Sequence, residues 1–84
     1  MRKQEIWAIR RERIERFFRS QQDVRENENG SFSFGHCEIR VKAMPERKIG
    51  SLRFPQTQME FEGSEADTEE IHHRFVMQFI SAGA

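Results

Sequence analysis

Ile6, Trp7, Ile9, Ile14, Phe17 and Phe18 recur through residues 2–22, a stretch without Gly or Pro. At about 100° per residue all six fall within one half of a helical wheel, which predicts an amphipathic helix from Arg2 to about Gln22. Asn27, Asn29 and Gly30 are turn formers that tolerate left-handed backbone, so a loop is expected over 23–30. From Ser31 to Ala43 the pattern becomes a strand-like alternation whose phase changes at Gly35 and His36. Phe32 and Phe34 lie on one parity, Cys37, Ile39, Val41 and Ala43 on the other. The stretch Ile49 to Glu62 does the same, with Leu52 and Phe54 before Pro55, and Met59 and Phe61 after Gln58.

One arrangement accounts for both changes. An antiparallel hairpin turning over Pro45 to Lys48 sets Val41 against Leu52, Ile39 against Phe54, Phe34 against Met59 and Phe32 against Phe61, every pair apolar. A slip of one residue would turn each side chain to the wrong face. The prediction is a long hairpin bent near Gly35 and Pro55, where glycine permits unusual backbone and proline interrupts a ladder, or the same chain split into three or four short strands. After Gly63, Ser64 with Asp67 three residues on resembles a capping box and opens a second helix. Ile71, Phe75, Val76, Phe79 and Ile80 form its apolar face, and it ends near Ala82. The fold class is therefore α+β: a helix, a long bent antiparallel β-hairpin, then a helix, in one small domain over 1–84.

Composition narrows the function classes. The chain has 84 residues, with 14 basic against 14 acidic side chains and no formal net charge, so it is not a uniformly charged binder. Only 36% of residues are hydrophobic and mean hydropathy is −0.84, yet eight Phe and one Trp supply bulk for a small aromatic core. A core of this size leaves hydrophobic gain close to the chain entropy, and Cys37, the lone cysteine, permits no internal disulfide. Self-association is the remaining common support, so a homodimer in a reducing cytoplasm is expected. Arg2 and Lys3 lead into charged sequence and not into a signal peptide, and the longest apolar cluster, Phe75 to Ile80, is too short to span a membrane.

Charge is unevenly placed. Residues 1–20 carry seven Arg or Lys against three Glu, whereas the last third of the chain is acidic, with Glu60, Glu62, Glu65, Asp67, Glu69 and Glu70 against Arg74. The bland reading of the first helix is a solvated face with Glu12–Arg16 and Glu15–Arg19 pairs at four-residue spacing. The alternative reading sets Arg11, Arg16 and Arg19 against nucleic-acid phosphates. Arg10 falls inside the apolar arc of the wheel, so its guanidinium should escape along its stem or meet an acceptor. His36, Cys37, His72 and His73 come as two adjacent pairs whose members diverge, which disfavours a metal centre; Cys37 and His72 read better as core residues. Motifs for nucleophilic, nucleotide or zinc chemistry are missing, so neither an enzyme nor a cofactor is expected. If the second strand region splits near Pro55, the element order resembles the double-stranded-RNA-binding domain, but the acidic start of the second helix would repel RNA. The reading that results is a non-enzymatic interaction or accessory protein. It would pair with itself and with an unidentified protein through Trp7, Arg10, Arg13 and Phe18, since Trp and Arg are frequent interface anchors. Nucleic-acid binding is the second reading.

Overall fold

The computed structural model describes residues 1–82, and side chains through Ile80. The elements in order are β1 (Arg2–Trp7), α1 (Arg11–Ser20), β2 (Arg25–Glu26), β3 (Phe32–Phe34), β4 (Cys37–Ile49), β5 (Leu52–Gly63) and α2 (Glu65–Ala82). The five strands form one antiparallel sheet in the order β1-β5-β4-β3-β2. The α+β class therefore holds, with α1 and α2 on either side of β2–β5 in sequence and β1 before α1.

The first helix is shorter than its apolar spacing predicts. Residues 2–7 are strand, paired with β5 from Arg2↔Glu62 to Trp7↔Thr57. Their inward positions are Lys3, Glu5 and Trp7, so no apolar alternation betrays a strand, while Ile6 points outward and is exposed. Helix α1 starts at Arg11, with Arg10 as an extended N-cap residue whose side chain makes no cap hydrogen bond. Arg10 thus stands outside the wheel on which its apolar position was inferred.

The predicted register is also replaced. Phe32 and Phe34 belong to a separate strand, β3, which turns tightly at Gly35 (φ +55°) and pairs Phe32 with Ile39 and Phe34 with Cys37. In the hairpin itself Ile39 faces Phe61 and Val41 faces Met59, where the apolar pairing from sequence set Phe54 and Leu52. The reversal comes at Gly50 and Ser51 and not over Pro45 to Lys48, which lie within β4. A β-bulge between Met44 and Arg47, opposite Pro55, shifts the ladder by one residue, so the irregularity near Pro55 is real.

Both helices cover one face of the sheet. Ile14 and Phe18 from α1, Ile71 and Phe75 from α2, and Phe32, Cys37, Ile39, Met59 and Phe61 from the strands form the buried core. Phe18 sits at its centre, stacked on Phe75 at 5.8 Å and 5.5 Å from Phe32. Ser64 Oγ accepts from the amide of Asp67 as a capping residue should. The Asp67 carboxylate does not return to Ser64 but accepts the amide of His36 at 2.7 Å, while the Ser64 amide donates to the His36 carbonyl. One acid thereby ties the start of α2 to the β3–β4 turn. Gly63 is required by close approach, because a Cβ there would lie 1.9 Å from the His36 oxygen.

Candidate functional site

Parity along β1, β4 and β5 divides the side chains between a covered and a bare face. On the bare face, Arg2 and Arg40 converge on Glu60, and Arg40 also meets Glu38 and Glu62. Hydrogen bonds from Arg2 and Arg40 hold the Glu60 carboxyl below its ordinary range. Further along the ribbon the character changes. Beyond Met44 the strands extend past β1 and β3 as a two-stranded arm. Ile49 is 53% exposed, Leu52 60%, Phe54 37% and nearby Ile6 59%. Ile6, Ala8, Arg47, Ile49, Phe54 and Gln56 line an open groove of about 440 Å3 on this face. The one-residue bulge places Ile49 and Arg47 on the same side as Leu52 and Phe54.

The surface expected from sequence lies elsewhere and is partly dismantled. Phe18 is fully buried and is not a surface anchor. Trp7 is half-buried: its ring meets Phe75 edge-on at 5.0 Å and its Nε1 donates to Glu5 at 3.0 Å. Arg10 is exposed. Arg13 lies with Cζ 5.8 Å from the centre of the Phe79 ring. Of the arginines assigned to nucleic acid, Arg11 approaches Glu15 at 3.8 Å and Arg19 makes two 2.9 Å bonds to Glu26. The expected Glu12–Arg16 and Glu15–Arg19 pairs do not form, because the β2 strand brings Glu26 to Arg19. Arg16 lines a second groove, with Arg13, Phe17, Ser20, Gln21, Gln78 and Phe79.

Titratable groups within the covered face include the pairs at Glu5 and at Cys37. Glu5 accepts from Trp7 and from Nε2 of the half-buried His72, 3.0 Å away, and the imidazole meets Phe61 edge-on. Burial pushes the Glu5 carboxyl up, but the hydrogen bonds from Trp7 and His72 outweigh it and leave the carboxyl lowered. The strand Glu5 comes from carries helical apolar spacing, so this partner of His72 is invisible in the sequence. Cys37 is buried next to Thr68, and burial pushes its thiol up. His36 and His73 are exposed. Among the described residues no three His, Cys, Asp or Glu side chains gather as metal ligands would. No described helix is long and apolar enough to cross a membrane.

Compared with known families, residues 2–84 match the family described as archaeal MoaD-like protein. No curated protein matches the chain.

Proposed function

Because the chain belongs to the archaeal MoaD-like protein family, we propose that it is a non-enzymatic accessory protein that acts by binding, paired with a second copy of itself and meeting another protein through the bare face of its sheet. Membership of that family fits an accessory role. The observation that carries the reading is the exposed run Ile6, Ile49, Leu52 and Phe54 on one side of a ribbon that neither helix covers. A two-stranded ribbon is marginal alone, and apolar residues gathered on one face of it gain from burial against another surface. A two-fold pairing of two such faces is self-complementary, since the same residues meet their own copies. Arg47, Lys48 and Arg53 against Glu46 give the arm an excess of positive charge that suits an acidic protein partner. The binding surface is therefore moved from α1, where the sequence suggested it, to the arm. A single buried thiol suits a reducing cytoplasm.

Sedimentation equilibrium at concentrations of about 50 μM, where modest dimers persist, tests the pairing. A dimer is expected for the natural chain, and a monomer with unchanged circular dichroism for Leu52→Ser combined with Phe54→Ser. A single monomeric species for the natural chain rejects it. The second reading, nucleic-acid binding by Arg11, Arg16 and Arg19, is favoured at Arg16, which has no carboxylate partner among the described residues, whereas Arg11 and Arg19 approach Glu15 and Glu26. It predicts retention on heparin that falls steeply with salt, which an apolar interface does not.

A further inference from the structure

Of the eleven arginines in the chain, five are matched by an acid among the described residues. Arg2, Arg11, Arg19, Arg40 and Arg74 each have at least one carboxylate within 4 Å. Arg13 and Arg16 have none among the described residues, and they are three apart on α1, the spacing at which helical side chains are neighbours. Both line the groove between α1 and α2, of about 300 Å3, at the lower end of the volumes that hold small ligands. Among the described residues no acid lines it, and α2 has no acidic residue from Ile71 onward. The rest of the lining is aromatic and amide: Phe17 and Phe79, whose rings are 5.8 Å apart, with Gln21 and Gln78 beside them.

We propose that this groove binds a phosphate group joined to a flat ring, the chemistry of a nucleotide. Two adjacent guanidiniums with free donors match the oxygens of a phosphate, and their mutual repulsion is relieved by a bound anion. The Arg13 guanidinium lies over the Phe79 ring at 5.8 Å; turned to the phosphate it leaves that face to the flat ring, and the two glutamine amides offer donors and acceptors to the ring edge. The competing account is that the carbonyl end of α2 satisfies the two arginines by itself. The inference is independent of the arm and of self-association. The same phosphate-and-ring chemistry belongs to a free nucleotide and to a single-stranded nucleic acid, and the test separates the two.

Amide resonances of the 15N-labelled full chain are followed during titration with inorganic phosphate, adenosine monophosphate and a hexanucleotide. Saturable shifts at residues 13–21 and 78–79 are expected with adenosine monophosphate, with Kd below about 1 mM and at least about tenfold tighter than with phosphate. Arg13→Gln with Arg16→Gln should weaken that binding by about tenfold or more, whereas Arg25→Gln, an exposed arginine away from the groove, should leave it unchanged. Tighter, salt-sensitive binding of the hexanucleotide assigns the site to nucleic acid; equal or weaker binding assigns it to the free nucleotide. Absence of saturable shifts in this groove, or equal binding by the double variant, overturns the site. Adenosine monophosphate binding no tighter than phosphate overturns the ring half of the proposal.

Discussion

The two halves of the β4–β5 hairpin share one ribbon and differ in almost everything around it. In the base, Cys37–Met44 with Gln56–Gly63, the ribbon is flanked by β1 and β3 and roofed by both helices, and Ile39, Met59 and Phe61 have no exposed surface. In the arm, Pro45–Pro55, strand pairing continues but no helix among the described residues covers it, and Ile49 and Leu52 keep more than half of their surface in water. Backbone pairing is thus compatible with both environments. What separates them is whether the apolar residues have anything to pack against, so stability is concentrated in the base and the arm is left available for contact.

The largest test of that contrast is Phe61→Ala. It removes a ring in contact with Phe18, Phe75 and His72 and should cost about 3–5 kcal/mol in chemical denaturation. A loss below about 1 kcal/mol would break the comparison. Next is Gly63→Ala, where the new methyl meets the His36 carbonyl and the strands at the base must part; a loss of about 1–3 kcal/mol is expected, with weakened amide protection at residues 36–37 in hydrogen exchange.

Third is Glu5→Gln. The Glu5 carboxyl is lowered in the folded chain, so its contribution is present above the ordinary carboxylate range and is lost as pH falls through the lowered folded value. Thermal melts from about pH 7 to pH 3 should show natural chain and variant differing at neutral pH and converging in acid. A constant offset across that range would remove Glu5 from the acid response. The smallest effect belongs to the arm: Leu52→Ser should change monomer stability by no more than about 0.5 kcal/mol, so a loss of several would show that the arm is covered after all.

The helix–strands–helix order and the α2 face could be read from the sequence because apolar residues there point inward, as periodicity assumes. Strand β1 could not, since Lys3 and Glu5 occupy its inward positions and find partners in Glu69 and His72 across the fold. The register failed for a related reason. Matching Phe32 and Phe34 with Met59 and Phe61 required Leu52 and Phe54 to pack inward as well, and these are the residues the arm exposes. Treating Gly35 as a turn between strands would have released that constraint. Trp7 and Phe18 read as surface anchors because a helix running from Arg2 offered no neighbouring wall for them. Arg13 and Arg16 were visible as charges, but not the groove they line, which requires α2 to lie beside α1.

The extra residue at the bulge acts as a parity switch. With it, the outward set of β4 moves from even to odd numbers, and Ile49 joins Leu52 and Phe54 on one side. Had the ladder run on without it, Glu46 would face Phe54 and Lys48 would face Leu52, sending Lys48 outward in place of Ile49 and splitting the aliphatic surface between two faces. The bulge therefore decides what the arm presents to its surroundings without any change to the folded base, and deleting Glu46 would straighten the ribbon while leaving Arg47 opposite Phe54 and Ile49 opposite Leu52.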